Sequence, residues 1–149
     1  MTETLFLFAT IAGTPVAVRA SEIEAVVRLG DIVPIQRVPA HVRGLAALRS
    51  RVLTVVDIES RIFGQAAPIP ATGQPLAVVA DIAAHSYGLL IETVSDICEA
   101  PGGVQAIQGK IDRHWAPFAK GLVEREGRSH LLLSLADFVG TPNTTAKAA

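Results

Sequence analysis

The chain has 149 residues, 50% apolar and 18% charged, with 13 Lys and Arg against 14 Asp and Glu. This near-neutral balance excludes the basic footprint of a nucleic-acid or anionic-lipid binder, and 5% aromatics are too few for a base-stacking platform. A single cysteine, Cys98, rules out an internal disulfide or a thiolate zinc cluster, and no apolar run reaches the roughly 18 to 20 residues of a membrane span.

Leu5 to Thr10 and Pro15 to Arg19 read as two strands joined at Ala12-Gly13-Thr14, a hairpin by its turn glycine and flanking apolar runs. Ser21 is a helix-cap type followed by valines, which predicts a short helix or turn running into a strand. Were that segment helical, Ile23 and Val27, four apart, would share one face. Pro34 and Pro39 punctuate Val33 to Val38, which suits an edge strand or connecting loop. Leu45 to Arg49 and Val52 to Val56 form the next hairpin, with Ser50-Arg51 as its turn. Asp57 caps a short helix, Ile58 and Ile62 share its face, and Gly64 supplies a left-handed stop.

Gln65 to Pro75, with three prolines and a glycine, is a connector. The second part repeats the plan: Leu76 to Asp81, a turn at Ala83-Ala84-His85-Ser86, Tyr87 to Val94, and a loop around Pro101-Gly102-Gly103. Leu122 to Glu126 and Ser129 to Leu133 follow, and Ser134 with Asp137 resembles a capping box for a closing helix. Residues 141 to 149 read as a loose polar tail.

The two parts are related. Gly44 and Gly121 lie 77 apart, Asp57 and Ser134 also 77, and Gly64 and Gly140 76, so glycine, apolar strand, cap and closing glycine recur in register. Ser21-Glu22-Ile23 pairs with Ser95-Asp96-Ile97 at 74, and Ile11 with Ile82 at 71. Short strands with two-turn helices predict an all-β protein: one domain over residues 1–140, made of two small barrels of about five strands. Its half-units run from about 5 to 64 and from 76 to 140, joined by the 65–75 connector, and leave a seam where a partner can bind.

Catalytic groups do not converge in the sequence. His41, His85, His114 and His130 sit at no metal-ligand spacing with one another or with Cys98. Cys98 lies between Asp96 and Glu99, and acidic neighbours blunt a thiol. Gly102-Gly103 lacks the Lys-Ser/Thr of a phosphate cradle, and Trp115 reads as a packing residue. No metal and no cofactor is expected.

The run from Val38 to Ile58 resembles the core segment of the CheW family: a Pro and a Lys/Arg-Gly step, then Asn-Leu-Arg-Gly, then an apolar strand ending in Val-Asp-Leu. Here these are Pro39, Arg43-Gly44, Ala47-Leu48-Arg49-Ser50 and Val56-Asp57-Ile58. The resemblance extends from Leu5 through Tyr87 to Ile97 and on to Phe138. It implies two SH3-like five-stranded barrels with an apolar groove between them. It further implies a non-enzymatic cytoplasmic scaffold that joins the helical tips of methyl-accepting chemoreceptors to the regulatory domain of a CheA-type histidine kinase. By position, Gly44, Leu45, Leu48 and Arg49 fall in the coupling segment, and Ile23, Val26 and Val27 on the groove wall facing a receptor helix. Ala47 stands where the family has Asn and Ser50 where it has Gly. The acid that pairs with the motif arginine in the family aligns near Ala25, whereas this chain has Glu22 and Glu24. The alternatives are a divergent scaffold of another chemosensory pathway, such as one governing pili, and a CheV-like or kinase regulatory-domain fragment.

Overall fold

A computed structural model describes residues 4–66 and 74–139. The strands are β1 (Leu5–Ile11), β2 (Thr14–Arg19), β3 (Ala25–Arg28), β4 (Val42–Leu48), β5 (Arg51–Asp57), β6 (Leu76–Ile82), β7 (His85–Leu90), β8 (Thr93–Glu99), β9 (Val104–Gln105), β10 (Gly121–Arg125) and β11 (Arg128–Leu133). Two short helices, α1 (Ile58–Phe63) and α2 (Ala136–Val139), follow β5 and β11, and Ala20–Glu22 forms a 3-10 turn. Most of the connector, the closing glycine at 140 and the expected tail lie outside the described residues.

Four hairpins turn on two residues each: Ala12-Gly13, Arg49-Ser50, Ala83-Ala84 and Glu126-Gly127, with φ above +50° at the first of each pair. Such turns match the right-handed twist of the strands. The second hairpin therefore turns one residue earlier than the expected Ser50-Arg51, and Arg51 opens β5 paired to Leu48.

The strands form a six-stranded sheet, ordered β8-β1-β2-β11-β10-β9, and a five-stranded sheet, ordered β3-β6-β7-β5-β4. Replacing each strand of the second by its counterpart in the repeat yields the order of the first, apart from β9. Registers agree as well: Val26 faces Val78 as Ile97 faces Leu7, and Thr54 lies beside Tyr87 as Leu131 lies beside Val16. Even β9 has an echo, since the isolated bridge from Val33 to Leu45 repeats the pairing of Gln105 with Leu122. The duplication is thus real in three dimensions, but the half-units interlock rather than fold side by side. Hairpin β1-β2 joins the sheet of β8 to β11, and hairpin β6-β7 joins that of β3 to β5.

These registers also correct one alignment. Residues of β1 to β3 match those of β6 to β8 at 71, so the partner of Ile97 is Val26 and not Ile23. The rise to 77 falls between β8 and β10, where the second copy carries extra residues around Trp115.

Strand alternation sorts the apolar side chains into three cores. One face of the five-stranded sheet closes on itself around Leu29, Ala46, Leu53, Val55, Ala77, Val79 and Leu90, with Ala25, Val27 and Leu48 at the margin. The six-stranded sheet closes around Phe6, Phe8, Ala17, Ala100, Val123 and Leu132. Opposite faces of both sheets share the largest core, which includes Leu7, Val16, Val56, Ile58, Val78, Leu89, Trp115 and Phe138. A fully buried side chain of this size contributes roughly 1.5 to 3 kcal/mol, so the shared core binds the two barrels into one unit.

The barrels fill their interiors differently at matched positions. Phe6 and Phe8 occupy the places of Ala77 and Val79, while Ala100 occupies that of Leu29. Where one barrel has a large residue the other has a smaller one at the equivalent position, and each fills its own core by its own combination.

Candidate docking site

Gly44 owes its identity to backbone contact. It sits at a bulge of β4 with φ of +142°, and a Cβ there would lie 2.2 Å from the carbonyl oxygen of Val33. Gly121 repeats the arrangement, since a Cβ on it would lie 3.0 Å from the Gln105 carbonyl oxygen. Both glycines let an extra strand segment cross β4 or β10.

That crossing brings Val33 beside Leu45 on the outer face of the β4-β5 hairpin. Leu45 pairs with Thr54, and Ala47 with Val52, so these four side chains share the face with Val33. Val33 is 60% exposed and Val52 59%, the largest values among the exposed large apolar residues. None of the five carries a charge. The matched face of β10-β11 presents Gln105, Leu122, Glu124, Ser129 and Leu131 instead. Two equivalent faces in one fold thus differ in polarity, and only the first is an apolar patch of the sort that marks an interaction surface.

Leu48 turns the other way and packs on the core of the five-stranded barrel. Arg49 is exposed at the hairpin tip with φ of +57°. The arginine that forms ion pairs here is Arg51: it pairs with Glu24, lies 3.7 Å from Asp81, and reaches the Ser86 hydroxyl at 3.5 Å. Ser86 in turn donates to Asp81 at 2.8 Å. Glu24 precedes the edge strand β3, so this pair fastens β3 to β5 across the barrel. The six-stranded barrel has a counterpart in Arg125 and Asp96, at 3.0 Å between β10 and the edge strand β8. Arg125 also stacks 5.4 Å over Phe8, and its charge is felt at Cys98, so the thiol does not lie among acids alone.

The proposed groove wall divides. Only Ala20–Glu22 is helical, and Ile23 already has extended φ and ψ, so the helical spacing of Ile23 and Val27 does not apply. Ile23 and Val26 lean on the core shared between the sheets, whereas Val27 faces the interior of the five-stranded barrel. The Glu22 carboxylate accepts from the Leu135 amide at 2.8 Å and pins this segment beside α2.

Asp57 does more than cap α1. Fully buried, it accepts from the Ser60 amide at 3.0 Å and from Arg43 at 2.8 Å. At the second cap the hydrogen bond runs from the Asp137 amide to the Ser134 carbonyl at 3.1 Å, and the Asp137 side chain pairs instead with Lys120 at 3.1 Å.

Sequence reasoning does not single out Val33, Ala47, Val52 or the Glu24–Arg51 pair as parts of a site. The alternation Val52, Thr54, Val56 is visible, but a continuous apolar run hides which residues face outward. Among the described residues no three His, Cys, Asp or Glu side chains gather as a metal site, and no helix is long and apolar enough to cross a membrane.

Two barrels sharing a core, braced by ion pairs and bearing one uncharged apolar face, define a protein-docking module. The CheW-like domain model matches residues 5–142, and the chain belongs to that family. It is 33% identical over 103 residues to the chemotaxis protein CheW of Rhizobium meliloti (strain 1021), an alignment covering 68% of this chain and 65% of that protein. Its fold is similar to that of the scaffolding protein TtCheW from Thermoanaerobacter tengcongensis, with a TM-score of 0.73 at 15% identity, covering 91% of this chain and 86% of the other.

Proposed function

We propose that the chain is a non-enzymatic chemotaxis adaptor of the cytoplasm, holding the regulatory domain of a CheA-type kinase against the helix bundle of a chemoreceptor. The observation that carries this reading is the contrast between the two hairpin faces. Val33, Leu45, Ala47, Val52 and Thr54 form an uncharged face where the repeat has Glu124 and Ser129. The kinase domain docks on this face, which Gly44 shapes and Arg49 borders. Apolar contact dominates there, so affinity changes little between low and moderate salt. The receptor helix lies along Ile23 and Val26 at the seam, with Val27 supporting them from inside the barrel.

The test is Val52→Lys. A substitution at a largely exposed position leaves stability within about 0.5 kcal/mol. Kinase-domain binding, measured by titration calorimetry, falls tenfold or more, while receptor-fragment binding is kept. Unchanged kinase affinity in the folded variant refutes the assignment of this face.

A further inference from the structure

The extra residues of the second copy form a segment that touches both helices. Val33 and its counterpart Gln105 lie 72 apart, whereas Leu45 and Leu122 lie 77 apart, so the added length falls between Gln105 and Leu122. Trp115, 3% exposed, meets Phe63 of α1 edge-on at 5.7 Å between ring centroids, and His114 meets the same ring at 5.1 Å. Phe118 stacks on Phe138 of α2 at 4.8 Å, and Arg61 of α1 lies 5.8 Å over the Phe118 ring. The segment thus clips the helix after β5 to the helix after β11, with Trp115 entering the core shared by the two sheets.

Its backbone is held differently from that of the strands. Trp115 and Ala116 donate to the Asp112 carbonyl, and Phe118 and Ala119 donate to the Trp115 carbonyl, at 2.9 to 3.0 Å. The His114 amide donates to the Asp112 carboxylate at 2.7 Å. Among the described residues, no backbone-to-backbone hydrogen bond joins 106–119 to the rest of the fold. The next one, from the Lys120 amide to the Leu132 carbonyl, starts the β10-β11 ladder. Side chains alone therefore fasten the segment. Lifting it breaks ring contacts but no sheet hydrogen bond, and openings of that kind lie at the low end of the local stability range.

We propose that residues 106–119 are a strap that opens as one unit while both sheets stay folded, uncovering the Phe63 and Phe138 rings and freeing α1 from α2. Closed, it holds the helices of the two half-units in one fixed relation. The strap is independent of the docking faces proposed above, and either can fail alone.

Trp115 is the single tryptophan of the chain, so its indole reports on the strap without interference. The experiment is native-state hydrogen exchange on the full chain, isotope-labelled. The Trp115 indole N–H is expected to be protected at least tenfold less than the slowest amides of β7 and β11. Low urea reduces the protection of those amides steeply and that of the indole little, because a local opening exposes little new surface. Val55→Ala, in the closed interior of the five-stranded barrel, lowers strand protection at least tenfold and leaves the indole unchanged. Phe63→Ala lowers indole protection at least fivefold. Indole protection equal to that of the slowest amides, with the same urea dependence, overturns the proposal without need of a variant. A parallel loss at both sites in Val55→Ala, or an unaltered indole in Phe63→Ala, overturns it as well.

Discussion

The guanidinium of Arg43 donates across 2.8 Å to the carboxylate of Asp57, which is fully buried where β5 becomes α1. One oxygen of Asp57 answers Arg43 and the other the Ser60 amide, so the residue is ion-pair partner and helix cap together. Removing one member of a buried pair leaves the other charge desolvated, at roughly 3 to 5 kcal/mol. Asp57→Ala is expected to lose about that much in urea unfolding. Asp57→Asn loses less, because its amide oxygen still accepts from Ser60.

Gly44 and Gly64 both have positive φ and separate two kinds of glycine requirement. Gly64→Ala meets nothing within 4 Å and costs only the left-handed backbone penalty, about 1 kcal/mol. Gly44→Ala drives a methyl group into a backbone carbonyl that cannot rotate away, adding roughly 1 to 3 kcal/mol for overpacking. It also displaces Val33 from the proposed docking face. Thermal unfolding is expected to rank the variants in that order, and only Gly44→Ala weakens kinase-domain binding.

The Ala83-Ala84 turn is a site for gain. Both alanines have left-handed φ, at +52° and +69°, which Asn and Gly adopt at less cost. Replacing the pair by Asn-Gly is expected to stabilise the protein by about 1 kcal/mol in denaturant unfolding, with partner binding unchanged.

His130 makes stability depend on pH. It is 5% exposed, meets Phe8 edge-on at 4.8 Å and lies 3.2 Å from the Arg128 carbonyl oxygen through Nδ1. Burial lowers its pKa, the Arg128 and Arg125 charges adding in the same sense against hydrogen bonds that oppose them. A lowered native value means that the unfolded chain binds the proton more readily. This contribution is therefore fully present above the ordinary histidine value of about 6.5 and lost as pH falls through it toward the native value. His41, also lowered by burial, acts in the same direction. His130→Leu is expected to flatten the slope of unfolding free energy against pH between 5 and 7. An unchanged slope would show that His130 is not the titrating group.

The repeat, four hairpins, the Asp57 cap and the Gly64 stop are legible because each depends on residues close in the chain. Glycine, turn and cap chemistry act over a few residues, and the spacing of 77 links two such local patterns. The Ser50-Arg51 turn is misplaced by one residue because neither Arg49 nor Ser50 has the strong turn signature of glycine.

The order of residues alone establishes the class: an all-β duplication with no convergent catalytic groups, and a family motif from Val38 to Ile58. It took the folded chain to establish that the half-units exchange hairpins, that Arg51 and not Arg49 braces the edge strand, and that Val27 turns inward while Val26 does not. The reason is that strand alternation has period two: one residue of register, or one bulge such as that at Ser95, reverses which face is buried. Pairing between distant strands sets that register, and no local pattern encodes it.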